Sequence, residues 1–172
     1  MLATSIPGES WAKKIATLSG DQVVPPVTTD ATGHATFKHP DSTTMNYKVN
    51  ITGITRPSGI GLHEGKIGIN GELIVELMRH ANNQTTDAGL TITGSFTASD
   101  LLGQMHGKTI LDLVAIMKSD DTYISVDTQK YPNGEIRGQL ELANQQLQGE
   151  TDLNQTNNNQ RNGGSWFTSG WQ

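Results

Sequence analysis

Apolar and polar residues alternate in short runs along much of this chain, and the clearest run spans Tyr123 to Leu140, YISVDTQKYPNGEIRGQL. Ile124 and Val126 alternate with Tyr123, Ser125 and Asp127, the period of a strand buried on one face. Past Pro132, Ile136, Leu140 and Leu142 take one face while Glu135, Arg137, Gln139 and Glu141 take the other. The break at Asn133-Gly134 predicts a hairpin turn, since both residues tolerate positive φ. Pairing across that turn sets Asp127 and Arg137 on one solvent-side face, within reach of each other.

Upstream, the same reading gives strands that pack against this hairpin. Trp11 to Gly20 is a first strand with imperfect alternation, and Val23-Val24-Pro25-Pro26-Val27 is an extended connector, because consecutive prolines cannot donate to a ladder. Gly33–Phe37, Met45–Ile51 and Leu90–Phe96 alternate as strands, and Leu73–Met78 is apolar enough for a buried one. Gly59–Gly71 is Gly-rich with His63 and Glu64 at its centre, and Arg79–Gly89 reads as a polar loop. Ile110, Leu113, Val114 and Met117 recur at helical spacing, so Thr109–Lys118 is expected as a short amphipathic helix.

Composition sharpens this outline. After Leu142 the chain turns to Asn, Gln, Gly and Ser, with Trp166, Phe167 and Trp171 near its end. By composition that stretch is a flexible tail, poor in the apolar surface needed to order itself. The expected organisation is an N-terminal arm at 1–10, one domain at 11–142 and the tail at 143–172. Across all 172 residues the hydrophobic share is 34% and the net charge −5, and no basic run occurs. A nucleic-acid partner, which needs a basic face, is thereby disfavoured. The absence of cysteine excludes disulfides and thiolate chemistry. No apolar run reaches the length of a membrane span, and Met1 to Trp11 lacks the pattern of a signal peptide. Asn50, Asn83 and Asn154 open N-x-Thr triplets, acceptors of glycan if the chain follows a glycosylating secretion route.

Four stretches carry a family resemblance: LSGDQVVPPVTTDATGHATF, GLHEGKIGINGELIVEL, GSFTASDLLG and the hairpin YISVDTQKYPNGEIRGQL. In this order they resemble the CHRD family, the domain named after the repeats of chordin, over about Ile15 to Leu142. The resemblance implies an all-β Greek-key sandwich or barrel, similar to Cu/Zn superoxide dismutase, here with one short helix and the polar tail. It also implies secretion or display at the cell surface. Many members carry two histidines one residue apart in the middle motif and a third in the last hairpin, a set suited to copper or zinc. In this sequence Gly61 stands at the first of these places, His63 at the second and Asp127 at the third. Copper redox chemistry of the dismutase kind is therefore not expected.

Two readings of His63 and Asp127 stand side by side. With help from Glu64, Glu72 or Glu135 they form a weak divalent-ion site, for copper or for calcium, which prefers oxygen ligands. Alternatively Asp127 pairs with Arg137 across the hairpin and His63 is a solvated loop residue. Ser119-Asp120-Asp121 lacks the ligand spacing of an EF-hand, and Met78 with His80 or Met105 with His106 pair thioether with imidazole only locally. No nucleophile elbow, HExxH, P-loop or dinucleotide fingerprint occurs. The expected function is a non-enzymatic module for binding or assembly with protein partners, as a homo-oligomer or filament. In its sharper form a terminal arm adds a strand to a neighbour and Trp166, Phe167 or Trp171 fills pockets there. The runner-up is a metal-binding protein using His63 and Asp127.

Overall fold

The computed structural model describes residues 13–54, 56–86 and 89–143, with the backbone alone at 84–86. The first strand, β1 (Lys14–Leu18), is followed by β2 (Thr32–Lys38) and β3 (Thr44–Thr52). Next come β4 (Gly59–Glu64), β5 (Leu73–Glu76), β6 (Ala81–Thr86) and β7 (Gly89–Thr97). The helix α1 (Ile110–Lys118) leads into β8 (Thr122–Asp127), β9 (Ile136–Gln139) and β10 (Glu141–Leu142). One antiparallel sheet runs in the order β10-β1-β2-β3-β7-β6 and the other β5-β4-β8-β9. β3 lies beside β7 although three strands separate them in sequence, the returning connection of a Greek key. The fold is an all-β sandwich.

Alternation explains how the sheets meet. Leu18, Phe37, Val49, Ile51, Ile92 and Phe96 point inward from the first sheet, and Ile60, Leu62, Ile124, Val126, Ile136 and Leu140 from the second. Each such side chain, taken fully out of water, stabilises the fold by about 1.5–3 kcal/mol. At one side the sheets are stitched by backbone: Ser19 and Arg137 exchange two N–H to carbonyl bonds of 3.0 Å. There the chains run so close that a Cβ on Gly138 would sit 2.5 Å from the Thr17 carbonyl oxygen. α1 closes an end of the core with Ile110, Leu113, Val114 and Met117, as their spacing predicts. Its first turn is fixed by a capping box in which the Thr109 hydroxyl accepts from the Asp112 N–H and the Asp112 carboxylate accepts from the Thr109 N–H.

Three local expectations need correction. Arg79–Gly89, expected as a polar loop, contains β6, whose residues Ala81-Asn82-Asn83-Gln84-Thr85-Thr86 pair in register with β7. An edge strand needs no buried face, so its sequence carries no alternation to read. Second, the last hairpin does not close on a two-residue Asn-Gly turn. Residues 128–135 link β8 to β9, and only Gly134 (φ 113°) takes the positive φ that Asn133 was also expected to adopt. The Gly134 N–H instead donates to the Tyr131 carbonyl at 3.2 Å, closing a four-residue turn over Pro132-Asn133. Third, the strand expected to run on through Leu142 changes sheet after Gln139: Leu142 pairs with Lys14 of β1. The described strands all belong to a unit ending at Leu142, and a second unit covers 143–172. The arm at 1–10, Asn154, Trp166, Phe167 and Trp171 lie outside the described residues.

Candidate functional site

The outer face of the second sheet is polar, and it is covered rather than solvated. Gly59, Gly61 and His63 of β4 lie on it, opposite Asp127, Ser125 and Tyr123 of β8 in turn. Arg137 and Gln139 of β9 continue the rows beyond Ser125 and Tyr123, and Glu76 of β5 stands opposite Gly61. Directly opposed residues share a face, so nine positions from four strands form one patch. Tyr123, Arg137 and Gln139 are nevertheless only 4%, 3% and 6% exposed. Their cover is the Gly-rich loop 65–71 on one side and the Val23-Val24-Pro25 connector on the other.

Arg137 holds that cover in place. Its guanidinium donates to the carbonyls of Lys66 and Ile69 at 3.0 and 2.9 Å and to Asn70 Oδ1 at 3.2 Å. The same group stacks over the Tyr123 ring, 3.5 Å from its centroid. Asn70 in turn donates to the Val24 carbonyl at 2.8 Å, joining the loop to the connector. Gln139 donates through Nε2 to the carbonyls of Gly65 and Asp120, at 2.8 and 2.7 Å. Burial pushes the Arg137 guanidinium down from its usual range, and its electrostatic interaction with Tyr123 acts the other way; it remains a cation, as arginine does in proteins.

The structure thus alters the expected partnership of Asp127 and Arg137. They share a face, as the alternation requires, but Asp127 accepts a 3.0 Å bond from the Ser125 hydroxyl while Arg137 is engaged by loop carbonyls. Among the described residues the ion pairs are Lys14 with Asp120, at 2.8 Å, and His80 with Asp100, at 3.4 Å. The Ser119-Asp120-Asp121 turn therefore serves the buried Lys14. A loop carbonyl outcompetes the carboxylate because the loop lies directly over the guanidinium, and its backbone acceptors need partners once water is excluded.

His63 is likewise no solvated loop residue. It sits on β4, half-buried, with its ring stacked on Tyr123 at a centroid separation of 5.0 Å and its Nδ1–H donating to the Gly71 carbonyl at 3.4 Å. The ring lies over Gly61, where an added Cβ would be 2.7 Å from His63 Nε2. Burial lowers the His63 pKa from its usual value; the Gly71 bond and the nearby Asp127 charge work against that, the Arg137 charge adds to it, and Glu76 opposes it weakly. Asp127 is pushed up, first by burial, while Ser125 and His63 pull it back. The two groups thus feel each other's charge.

His63, Asp127, Asn133 and Arg137, four positions singled out from sequence, line one cleft of about 460 Å³ together with Ser125 and the Val23-Val24-Pro25 wall. Of the carboxylates expected to assist a metal, Glu135 is instead engaged by the hydroxyls of Thr29 and Thr128 at 2.8 and 2.7 Å. Glu76, which sequence reasoning passed over, is the one whose charge reaches both His63 and Asp127. Among the described residues no three His, Asp or Glu side chains converge as a metal-holding group. Asn50 is on the exposed face of β3, its Oδ1 accepting from Thr91, and Asn83 is on the edge strand β6.

The loop also carries a feature no alternation revealed. Ile67 and Ile69 are 77% and 58% exposed at its tip, although the loop beneath them is pinned by Arg137. The signal was present in the sequence: two isoleucines set among glycines in GKIGING, with no strand or helix to bury them.

Comparison with known proteins agrees with this architecture. A family model for the CHRD domain matches residues 15–140. Chordin of Xenopus laevis is 25% identical over 129 residues, which are 74% of this chain and 13% of chordin, so the chain spans a small part of that relative. With the sandwich, the hairpin and the middle motif all falling inside the matched stretch, the chain belongs to the CHRD domain family.

Proposed function

We propose that this chain is a secreted or cell-surface module that binds protein partners and catalyses no reaction. The observation that carries this reading is the exposure of Ile67 and Ile69 on a loop fixed from below. Apolar side chains held out to water on a pre-ordered backbone lose little entropy when a partner covers them. The charged groups beneath are engaged in holding that backbone, which suits presentation better than proton transfer. The sharper form of the proposal is assembly, in which a terminal arm adds a strand to a neighbouring copy and Trp166, Phe167 or Trp171 fills pockets on it.

A second reading, a divalent-metal protein, draws on the mutual influence of His63 and Asp127 with Glu76 on the same face. One experiment separates the two. Size-exclusion chromatography with light scattering is run on the full chain and on a chain ending at Ala143, with elemental analysis of each peak. Large metal-free species that vanish on truncation support tail-borne assembly. A monomer in both cases with near-stoichiometric copper or calcium, lost in His63→Ala, supports the metal reading and sinks the first.

A further inference from the structure

The two sheets have four edges, and among the described residues three of them are closed. β9 is stitched to β1 through Ser19 and Arg137. β5 is covered by the segment after β7, whose Leu102 N–H donates to the Ile74 carbonyl at 2.8 Å. β10 is only two residues long. That leaves β6, six residues paired with β7 on one side only.

An open edge is a template for another strand, and proteins that avoid pairing guard such edges with charge, proline, a bulge or short length. β6 has none of these. Ala81-Asn82-Asn83-Gln84-Thr85-Thr86 carries no charge and no proline, and its register with β7 runs unbroken from Ala81↔Gly94 to Thr86↔Gly89. The strand is also self-complementary within its own six residues. When two copies pair antiparallel about a twofold axis between Asn83 and Gln84, the six residues of each strand meet the same six running the other way. Asn82 then falls opposite Thr85, and Asn83 opposite Gln84, pairs of amides and hydroxyls that hydrogen-bond well across strands.

We propose that β6 is a self-association edge, joining two copies of this chain through an antiparallel β6–β6 pair into one continuous sheet. The contact is isologous, so it closes at a dimer. It is independent of the tail. A six-residue strand pair lies at or below the ~1,200 Å² typical of weak, transient interfaces, so the dimer is a concentration-dependent one.

The test uses the full chain and two charged variants, Asn82→Lys with Thr85→Lys, and Asn82→Glu with Thr85→Glu. In each, like charges meet at both 82–85 pairs. Light scattering across a concentration series is expected to show a rise toward twice the monomer mass for the unsubstituted chain. Each variant stays at the monomer mass, and mixing the Lys and Glu variants restores the doubled mass. Cooperative thermal unfolding and an unchanged far-UV circular dichroism spectrum confirm that all forms are folded, the dimeric forms melting somewhat higher. A monomer at every concentration for the unsubstituted chain overturns the proposal, as does a dimer that survives in both variants. If the association instead disappears on truncation at Ala143 and is indifferent to residues 82 and 85, the tail carries it and β6 does not.

Discussion

The guanidinium of Arg137 lies 3.5 Å from the centroid of the Tyr123 ring, and both residues are almost wholly withdrawn from water on a sheet face that their sequence marks as polar. His63 stacks on the same ring, so Tyr123 joins the loop-holding cation to the imidazole of the cleft. Loop 65–71, with Ile67 and Ile69 at its tip, rests on this stack.

Replacement of Arg137 tests how much the loop depends on it. Arg137→Lys keeps a positive charge but loses the planar fork that reaches Lys66, Ile69 and Asn70 together. The Ile69 carbonyl and Asn70 Oδ1 then lose the guanidinium donor, while the Lys66 carbonyl keeps the Ile69 N–H at 3.0 Å, and the expected destabilisation is about 3 kcal/mol. Urea unfolding measures it. The loop opens before the sandwich does, so hydrogen exchange at the Gly71 N–H, which donates to the Tyr123 hydroxyl at 3.1 Å, accelerates more than exchange in β3. Equal acceleration in both places would show that the guanidinium supports the core and not the loop.

How far the sequence reveals this arrangement depends on the range of the cause. Period-two alternation is local, and it places Ile124, Val126, Ile136 and Leu140 in the core correctly. α1 is equally legible, since apolar spacing and the Thr109 cap lie within one short segment. The opposite face of the hairpin reads as solvated because its cover comes from residues 65–71, far off in sequence, and alternation says nothing of what lies above a polar row. β6 escapes for another reason: a wholly polar edge strand has no inward face to mark. His63 is hidden by its neighbours, because glycines at 59 and 61 replace the outward side chains that would have disclosed a strand.

Gly61 is required by the seat of His63 rather than by its own backbone. A Cβ there would lie 2.5 Å from Leu73 Cδ1 and 2.7 Å from His63 Nε2, so Gly61→Ala displaces one side chain or both. Overpacking of this kind costs about 1–3 kcal/mol. If the imidazole is what moves, the stack on Tyr123 is lost, and the double variant Gly61→Ala with His63→Ala is less destabilised than the sum of the single changes. A thermodynamic cycle from denaturant unfolding reads this coupling. Strict additivity would place the clash on Leu73 alone.

Acid weakens the domain through His63 and acts with the opposite sign through Asp127. The folded state holds His63 below its ordinary value of 6.5, chiefly by burial, so the unfolded chain binds that proton first. Stability contributed by the neutral ring is complete above 6.5 and is lost as pH falls through 6.5 toward the lower folded value. Asp127 has the opposite sign. Its folded pKa lies above 3.8, so the folded state gains a proton earlier than the unfolded one, and stability returns as pH falls through that raised value. The two slopes have opposite signs and separate owners. His63→Gln removes the loss just below 6.5 and leaves the carboxyl contribution, whereas Asp127→Asn removes the latter and, by withdrawing a charge that favours the imidazolium, deepens the His63 loss and extends it further below 6.5. Denaturant midpoints taken at intervals from about pH 7.5 to about pH 4 resolve both. If the His63→Gln chain keeps the full loss below 6.5, another histidine carries it and the stacked imidazole is not the acid-sensitive part of this face.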